Sequence, residues 1–284
     1  MSSCSPPCAK QRKNNKRCNA GLLKTPFCLA RILICRYIKQ PRKIQPMQIM
    51  LRSITQRLLD LIFPPQCILC KRGGSTLCST CQLTLRPTPV ARCQHCHTVL
   101  QARGICRQCQ QHPLLLSGLR AFSIYQEPLR TCIHAFKYEG NRRLAEPLGQ
   151  LLAETYTSYK LQADVLLPVP LHPERLQERG YNQSALLART CATKLGIPYR
   201  EDLLIRQRAT TPQVGLSFQE RLRNVSGAFQ PALAFTTGAF ARRRILIIDD
   251  VCTTGATIEA CAAPLFAAGV RSVWGLVLAR PDKG

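Results

Sequence analysis

The chain has 284 residues, of which 40 are Lys or Arg and 15 are Asp or Glu, so its formal net charge is +25 at pH 7. Such a basic excess favours polyanionic partners, either nucleic acid or phosphorylated substrates, although a merely soluble basic protein is the plainer alternative. The 17 cysteines do not indicate a disulfide-bonded secreted protein, because eight of them form four C-x-x-C pairs, which favour metal in a reducing compartment. We find no convincing secretory signal and no apolar stretch long enough to span a bilayer, and we therefore predict a cytoplasmic protein.

The first part of the chain divides into two segments. Residues 1–46 carry eleven basic residues, no acidic residue and no sustained periodicity. We expect translation to start at Met47 or Met50, which would make the basic extension a gene-model artefact; the alternative is a basic arm that contacts nucleic acid. Residues 47–65 follow, and within them apolar residues at helical spacing predict an amphipathic helix over 48–62, which two prolines end.

A cysteine module is predicted over residues 66–112. Each C-x-x-C pair can form a tight turn that places two thiolates on one metal ion, and two such turns make a closed Cys4 site suited to structural zinc. The spacing favours two sequential sites, with a cross-braced arrangement as the alternative. The predicted ligands are Cys67, Cys70, Cys78 and Cys81 for one zinc, and Cys93, Cys96, Cys106 and Cys109 for the other. The histidines nearby, which are His95, His97 and His112, are redundant once eight thiolates are counted. A module this small needs metal to fold, and its basic excess also allows contact with nucleic acid.

From residue 113 to 284 the pattern alternates between strands and helices. Strands are predicted at 119–125, 164–170, 203–206, 244–249 and 272–279. Helices are predicted at 129–136, 143–156, 182–195 and 258–268. Helices placed between strands imply an α/β fold with a mostly parallel sheet, whose ligands bind beyond the carboxyl ends of the strands.

One stretch, residues 244–257, carries the strongest chemical signal. An apolar strand ends in the acidic pair Asp249 and Asp250, and a short loop of small and hydroxyl residues then leads into a helix. The loop consists of Thr253, Thr254, Gly255, Ala256 and Thr257. Small residues let the backbone approach a ligand, and the unpaired amides of a helix N-terminus attract phosphate. The two carboxylates can accept hydrogen bonds from vicinal sugar hydroxyls, so the stretch suits a ribose 5-phosphate.

This stretch resembles the phosphoribosyl pyrophosphate signature of type I phosphoribosyltransferases, with an ordinary strand–loop–helix as the alternative. Such a ligand also carries pyrophosphate, and residues 170–183 resemble the loop that binds it in the same enzymes. There Arg179 offers charge and forked donors, Gly180 lets backbone amides approach, and a helix that opens near Asn182 adds its dipole. The alternative is a surface loop before a capped helix.

The order of motifs resembles the ComF/GntX family. It consists of four cysteine pairs, Leu-Pro-Val-Pro-Leu-His, Arg-Gly-Tyr-Asn-Gln, Thr-Pro-Gln-Val-Gly-Leu and Asp-Asp-Val-Cys-Thr-Thr-Gly-Ala-Thr, from about Met47 to the C-terminus. The resemblance implies a double zinc ribbon followed by a type I phosphoribosyltransferase-like domain over residues 113–284. It also implies a part in natural competence, the handling of incoming single-stranded DNA, and the use of DNA as a nutrient.

The resemblance further assigns roles to individual residues. Mg²⁺ would bridge the pyrophosphate and the ribose hydroxyls, Asp249 and Asp250 would hold the ribose, and residues 253–257 would hold the 5-phosphate. Arg179, together with a mobile lid that contains Arg206 and Arg208, would stabilise the departing pyrophosphate; a solvated charged loop is the alternative to the lid. Two functions stay open. One is a transferase with an unknown acceptor, and the other is a non-catalytic module that binds a phosphoribosyl ligand or single-stranded DNA and serves other DNA-uptake proteins.

Overall fold

The computed structural model describes residues 64–87, 90–211, 215, 217–232, 235 and 240–282. The predictions made for the basic segment 1–46 and for the helix over 48–62 lie outside these residues. None of the helices in the described part of the chain is both long and apolar enough to cross a membrane.

The cysteine module consists of two similar halves with little regular structure. In each half, a turn carries the first C-x-x-C pair and a short helix carries the second; the helices are α1 (Ser79–Thr84) and α2 (Arg107–Gln111). The residue after each first pair has a left-handed backbone, with φ of 62° at Lys71 and 64° at His97. The two halves therefore repeat one metal-binding turn, as the sequence predicts.

A four-stranded sheet forms the centre of the rest of the chain. Its strands are β1 (Gly118–Ile124), β2 (Val165–Pro168), β5 (Arg244–Val251) and β6 (Ser272–Arg280), in the order β1-β6-β5-β2. Every pairing in this sheet is parallel, which confirms the predicted α/β fold class. Strands β3 (Leu204–Arg206) and β4 (Phe229–Pro231) form a separate antiparallel pair, and β4 was not predicted.

Helices cover both faces of the sheet. One face carries α3 (Leu129–Tyr138), α4 (Ala145–Ser158) and α6 (Gln183–Leu195), and the other carries α7 (Phe218–Val225) and α8 (Ala256–Ala267). Helix α5 (Pro173–Arg179) contributes to neither core. Along β5, alternate side chains enter opposite cores: Leu246 and Ile248 pack with α3, α4 and α6, whereas Ile245 and Ile247 pack with α8. The uninterrupted apolar run of β5 is explained by this burial on both faces.

Helix α5 lies inside the segment that the sequence pattern indicates as a loop. It begins with a proline at its first position and ends at Gly180, whose φ of 74° is left-handed. Because α5 has no buried residue, no apolar periodicity marks it in the sequence. Helix α6 then begins at its N-cap Asn182, whose side chain accepts hydrogen bonds from the amides of Ser184 and Ala185.

Candidate functional site

A cleft of about 520 Å³ opens where β2 and β5 end side by side. Residues from α3, α5, α6 and the loop after β3 line it together with the end of β5. Among the predicted site residues, its lining contains Asp249, Asp250, Arg179, Arg206 and Thr257. Three separate parts of the chain that the sequence pattern connects with a phosphoribosyl ligand thus meet in one cleft.

Asp250 forms a buried ion pair that the sequence does not reveal. Its Oδ1 lies 2.7 Å from Nζ of Lys137 on α3, and the two side chains are only 4% and 18% exposed. Burial alone would lower the pKa of Lys137, but the Asp250 carboxylate outweighs it, and the pKa lies above its usual value. The second oxygen of Asp250, Oδ2, is buried without a hydrogen-bond partner among the described residues.

Asp249 lies in a different environment from its neighbour. Its Oδ1 accepts hydrogen bonds from Ser184 Oγ at 2.7 Å and from the amide of Asp250 at 2.9 Å. Burial, followed by the charge of Asp250, raises the pKa of Asp249 to about 7, although Ser184 and Lys137 oppose the rise. The carboxyl group therefore changes charge near neutral pH and becomes an anion more readily when a cation binds beside it.

The loop from Thr253 to Thr257 is tightly closed. Gly255 has a left-handed backbone with φ of 96° and is the N-cap of α8, which explains the need for glycine there. The Thr254 hydroxyl accepts a hydrogen bond from the amide of Ala256 at 3.3 Å. The cavity that this loop lines has a volume of about 20 Å³, enough for one water molecule but not for a phosphate. Phosphate binding in that cavity would therefore require the loop to open.

The structure places Arg179 and Gly180 differently with respect to the cleft. Arg179 lines the cleft, and its guanidinium lies 5.5 Å from the ring centroid of Tyr138. Gly180 is outside the lining: its amide donates to Leu176 at 2.8 Å, and its carbonyl accepts from Arg142 at 2.8 Å. Gly180 thus ends α5, and its amide is already used within the protein.

The two arginines predicted to form a lid also lie in different places. Arg206 lines the cleft, where its Nη2 donates to the hydroxyl of Thr210 and its Nε is buried without a hydrogen-bond partner among the described residues. Arg208 is outside the lining and donates at 2.8 Å to the carbonyls of Asn224 and Ser226, at the end of α7. In this arrangement Arg206 can reach a ligand, whereas Arg208 holds the loop against α7.

The eight predicted metal ligands form two sequential clusters. They are Cys67, Cys70, Cys78 and Cys81 in the first cluster, and Cys93, Cys96, Cys106 and Cys109 in the second, with the sulphur atoms of each cluster within 4.8 Å of one another. Two cross-pair separations are 3.7 Å and 3.6 Å, close to the roughly 3.8 Å that tetrahedral zinc with Zn–S bonds of about 2.3 Å requires. The clusters therefore fit structural zinc, and the sequential pairing is confirmed.

Backbone amides assist the first cysteine of each cluster. The amide of Cys78 donates to Sγ of Cys67 at 3.5 Å, and that of Cys106 donates to Sγ of Cys93 at 3.3 Å. Burial alone would raise the pKa of Cys67 and Cys93, but such hydrogen bonds lower both to about 6. Hydrogen bonding to Cys78 and then burial raise the pKa of Cys81 to about 12, so a cation is needed to keep all four sulphurs ionised.

His97 joins the second cluster to the sheet, a role that its sequence position does not indicate. Its Nδ1 accepts from the amide of Ala121 on β1 at 2.9 Å, so the ring proton is on Nε2, which lies 2.8 Å from the hydroxyl of Tyr159. Burial, followed by nearby arginines, lowers the pKa of His97 to about 3. The ring is therefore neutral and acts as a fixed connection.

A parallel sheet that ends in an acidic pair and a Thr/Gly loop, with two Cys4 clusters before it, defines a zinc-ribbon protein with an α/β domain. Residues 58–110 match the family described as "Double zinc ribbon domain". The chain belongs to the ComF family. It is 33% identical over 227 residues to competence protein F of Haemophilus influenzae, covering 75% of this chain and 97% of that protein. It is 32% identical over 224 residues to DNA utilization protein YhgH of Escherichia coli K12, covering 75% of this chain and 96% of that protein.

Solved structures resemble the chain more distantly. The glutamine phosphoribosylpyrophosphate amidotransferase of B. subtilis, complexed with ADP and GMP, is 24% identical to it. The match covers 47% of this chain and 25% of that one, with a TM-score of 0.31. A TM-score this low carries no weight for the ligand or activity of the present chain.

Proposed function

We propose that this chain binds phosphoribosyl pyrophosphate with Mg²⁺ in the cleft and serves the uptake or use of DNA. The observation that carries the proposal is the convergence of the acidic pair with Arg179 and Arg206 on one cleft. The names of the relatives, competence protein and DNA utilization protein, support the cellular role.

The chemistry of the lining suits both charges of such a ligand. Asp249 and Asp250 offer carboxylate oxygens, which can coordinate Mg²⁺ and accept hydrogen bonds from vicinal hydroxyls. Arg179 and Arg206 offer forked donors for pyrophosphate oxygens. Two polar atoms that are buried without a hydrogen-bond partner among the described residues, Oδ2 of Asp250 and Nε of Arg206, belong to residues of the same lining. A ligand that partners them would remove a cost of folding.

Lys137 would regulate access to the acidic pair. Its ammonium group occupies Oδ1 of Asp250 at 2.7 Å, where it neutralises the carboxylate that the ligand needs. Mg²⁺ or the ribose hydroxyls would therefore compete with Lys137 for Asp250, and the displaced ammonium would remain in the cleft, near the phosphates.

A transferase with an unknown acceptor is the activity that this arrangement suits best. A non-catalytic binding protein is the second candidate, favoured by the segment 61–120, which has seven basic and no acidic residues.

Thermal unfolding of the zinc-loaded full chain with Mg²⁺ and phosphoribosyl pyrophosphate tests the proposal. A ligand at 100 times its Kd stabilises the native state by about 2.7 kcal/mol. We expect this stabilisation in the wild type and in Asp202→Asn, an exposed carboxylate paired with Arg200. Asp250→Asn and Arg179→Ala should lose it. If the folded wild type shows no saturable shift, the proposal is wrong.

Release of pyrophosphate then separates the two candidates. A transferase releases it when the correct acceptor is present, and candidate acceptors are screened with the ligand-binding wild type. A binding module retains phosphoribosyl pyrophosphate intact whatever acceptor is supplied. Arg179→Ala serves as the control, because it removes a cleft charge without altering the zinc clusters.

A further inference from the structure

A second cavity, of about 690 Å³, lies between the second cysteine cluster and the sheet domain, and none of its lining residues lines the cleft described above. The ribbon side contributes Arg86, Arg92 and Arg103, and the domain side contributes Arg120 and Tyr159. The cavity is thus a separate place in the molecule where four arginines meet.

The charge of this cavity is positive even when the acidic groups near it are counted. Glu154 is the carboxylate in the lining, and the charge of Asp282 attracts Arg92. The second zinc cluster carries a charge of about −2, which Arg120 and Arg280 face. Arg86, Arg92 and Arg103 therefore outnumber the carboxylates, and the cavity attracts anions.

Within this cavity, Arg92 has terminal nitrogens that lack hydrogen bonds. Both terminal nitrogens, Nη1 and Nη2, are buried and have no hydrogen-bond partner among the described residues. Burial lowers the pKa of Arg92 from its usual value, but a guanidinium remains charged in proteins. Buried terminal nitrogens without hydrogen bonds are unfavourable, and a phosphate group offers two parallel acceptors that match them.

Tyr159 adds an aromatic surface beside these charges. The residue is 43% exposed, whereas its hydroxyl is fixed by His97 at 2.8 Å. Arg120 is held under the same cavity by hydrogen bonds to Gln94 and Leu119, and its guanidinium lies 5.4 Å from the centroid of the Tyr159 ring. A fixed, partly exposed ring next to cationic groups is the arrangement that stacks a base while its phosphate is bound.

We propose that this cavity binds a nucleotide unit of single-stranded nucleic acid, with its phosphate on Arg92 and Arg103 and its base on Tyr159. The choice of single-stranded nucleic acid as the ligand rests on the proposed role in the use of DNA. It does not rest on the binding of phosphoribosyl pyrophosphate, because the two sites share no lining residue.

The test measures binding of a fluorescent oligothymidylate to the zinc-loaded full chain by anisotropy, over a series of KCl concentrations. Arg92→Ala and the exposed Arg103→Ala should each weaken binding about tenfold and reduce the salt slope by about one. Tyr159→Leu should weaken binding with little change in the salt slope. Arg130→Ala is the matched control, because Arg130 is 63% exposed and belongs to neither lining; it should bind within twofold of the wild type.

Three outcomes would overturn the proposal. They are wild-type affinity in both Arg92→Ala and Arg103→Ala, an equal loss in Arg130→Ala, and wild-type protein that binds thymidine monophosphate but no oligothymidylate. Displacement of the bound oligonucleotide by thymidine monophosphate at high concentration would support the proposal. The thermal shift with phosphoribosyl pyrophosphate is measured on Arg92→Ala as well. If that shift persists while oligothymidylate binding is lost, the two sites are independent, and failure of either proposal is recognised separately.

Discussion

Replacement of Lys137 by Met should destabilise the chain strongly at neutral pH. The distance of 2.7 Å between Nζ and Oδ1 of Asp250 corresponds to a Coulomb attraction of about 6 kcal/mol at an effective dielectric constant of about 20. Dehydration of both groups offsets much of this attraction. The variant, however, leaves the carboxylate buried without its partner, a change that costs about 3–5 kcal/mol. We therefore expect a loss of about 3 kcal/mol in the free energy of unfolding at pH 8.

The double variant Lys137→Met/Asp250→Asn tests the cause. It removes both charges, so we expect it to recover most of the lost stability.

The assay is urea unfolding with zinc present, followed by fluorescence of Trp274, the single tryptophan. Lys194→Met is the matched control: its ion pair with Glu146 is similar in length, at 2.8 Å, but 42% and 65% exposed. It should lose less than about 0.5 kcal/mol. Equal effects of the two lysine variants, or a double variant less stable than Lys137→Met, would refute the reasoning.

Three further predictions concern single positions. The ligand-free wild type should lose about 2 kcal/mol in free energy of unfolding between pH 5 and pH 8, because the native pKa of Asp249, about 7, lies above the unfolded one. Asp249→Asn should not show this loss, and thermal unfolding at both pH values measures it. Gly275→Ala should cost about 1–3 kcal/mol in urea unfolding, since its Cβ would lie 2.4 Å from a leucine methyl, whereas Gly73→Ala has nothing within 4 Å and should be tolerated. Cys106→Ser should lose one zinc by metal analysis, and Cys191→Ala, outside both clusters, should keep two.

Local patterns in the sequence predict most of the fold. The apolar run before Asp249 predicts β5, and the structure extends that strand to Val251. The eight cysteines group as their spacing indicates. These predictions are correct because each depends on residues close together in the chain, where alternation and turn geometry leave few other structures. The domain boundary at residue 113 stays a prediction.

Contacts across the chain were not predictable in the same way. Lys137 and Ser184 reach the acidic pair from α3 and α6, and a single lysine or serine on a helix carries no local sign of its partner. Arg206 and Arg208 looked equivalent as lid residues, but β3 ends at Arg206, and the two side chains leave in different directions. Sequence patterns identify candidate residues, whereas packing between elements decides which of them meet.

The second zinc cluster and the Thr/Gly loop share one buried residue, Arg280 at the end of β6. Its Nη2 donates to the carbonyl of Thr253 at 2.7 Å, and its Nη1 lies 3.7 Å from Sγ of Cys252. Burial raises the pKa of Cys96 to about 11, and the largest opposing effect is the charge of Arg280. Opening of the loop would break the hydrogen bond from Arg280 to Thr253 or move Arg280 with it. The second cysteine cluster therefore faces the same arginine that binds the Thr/Gly loop.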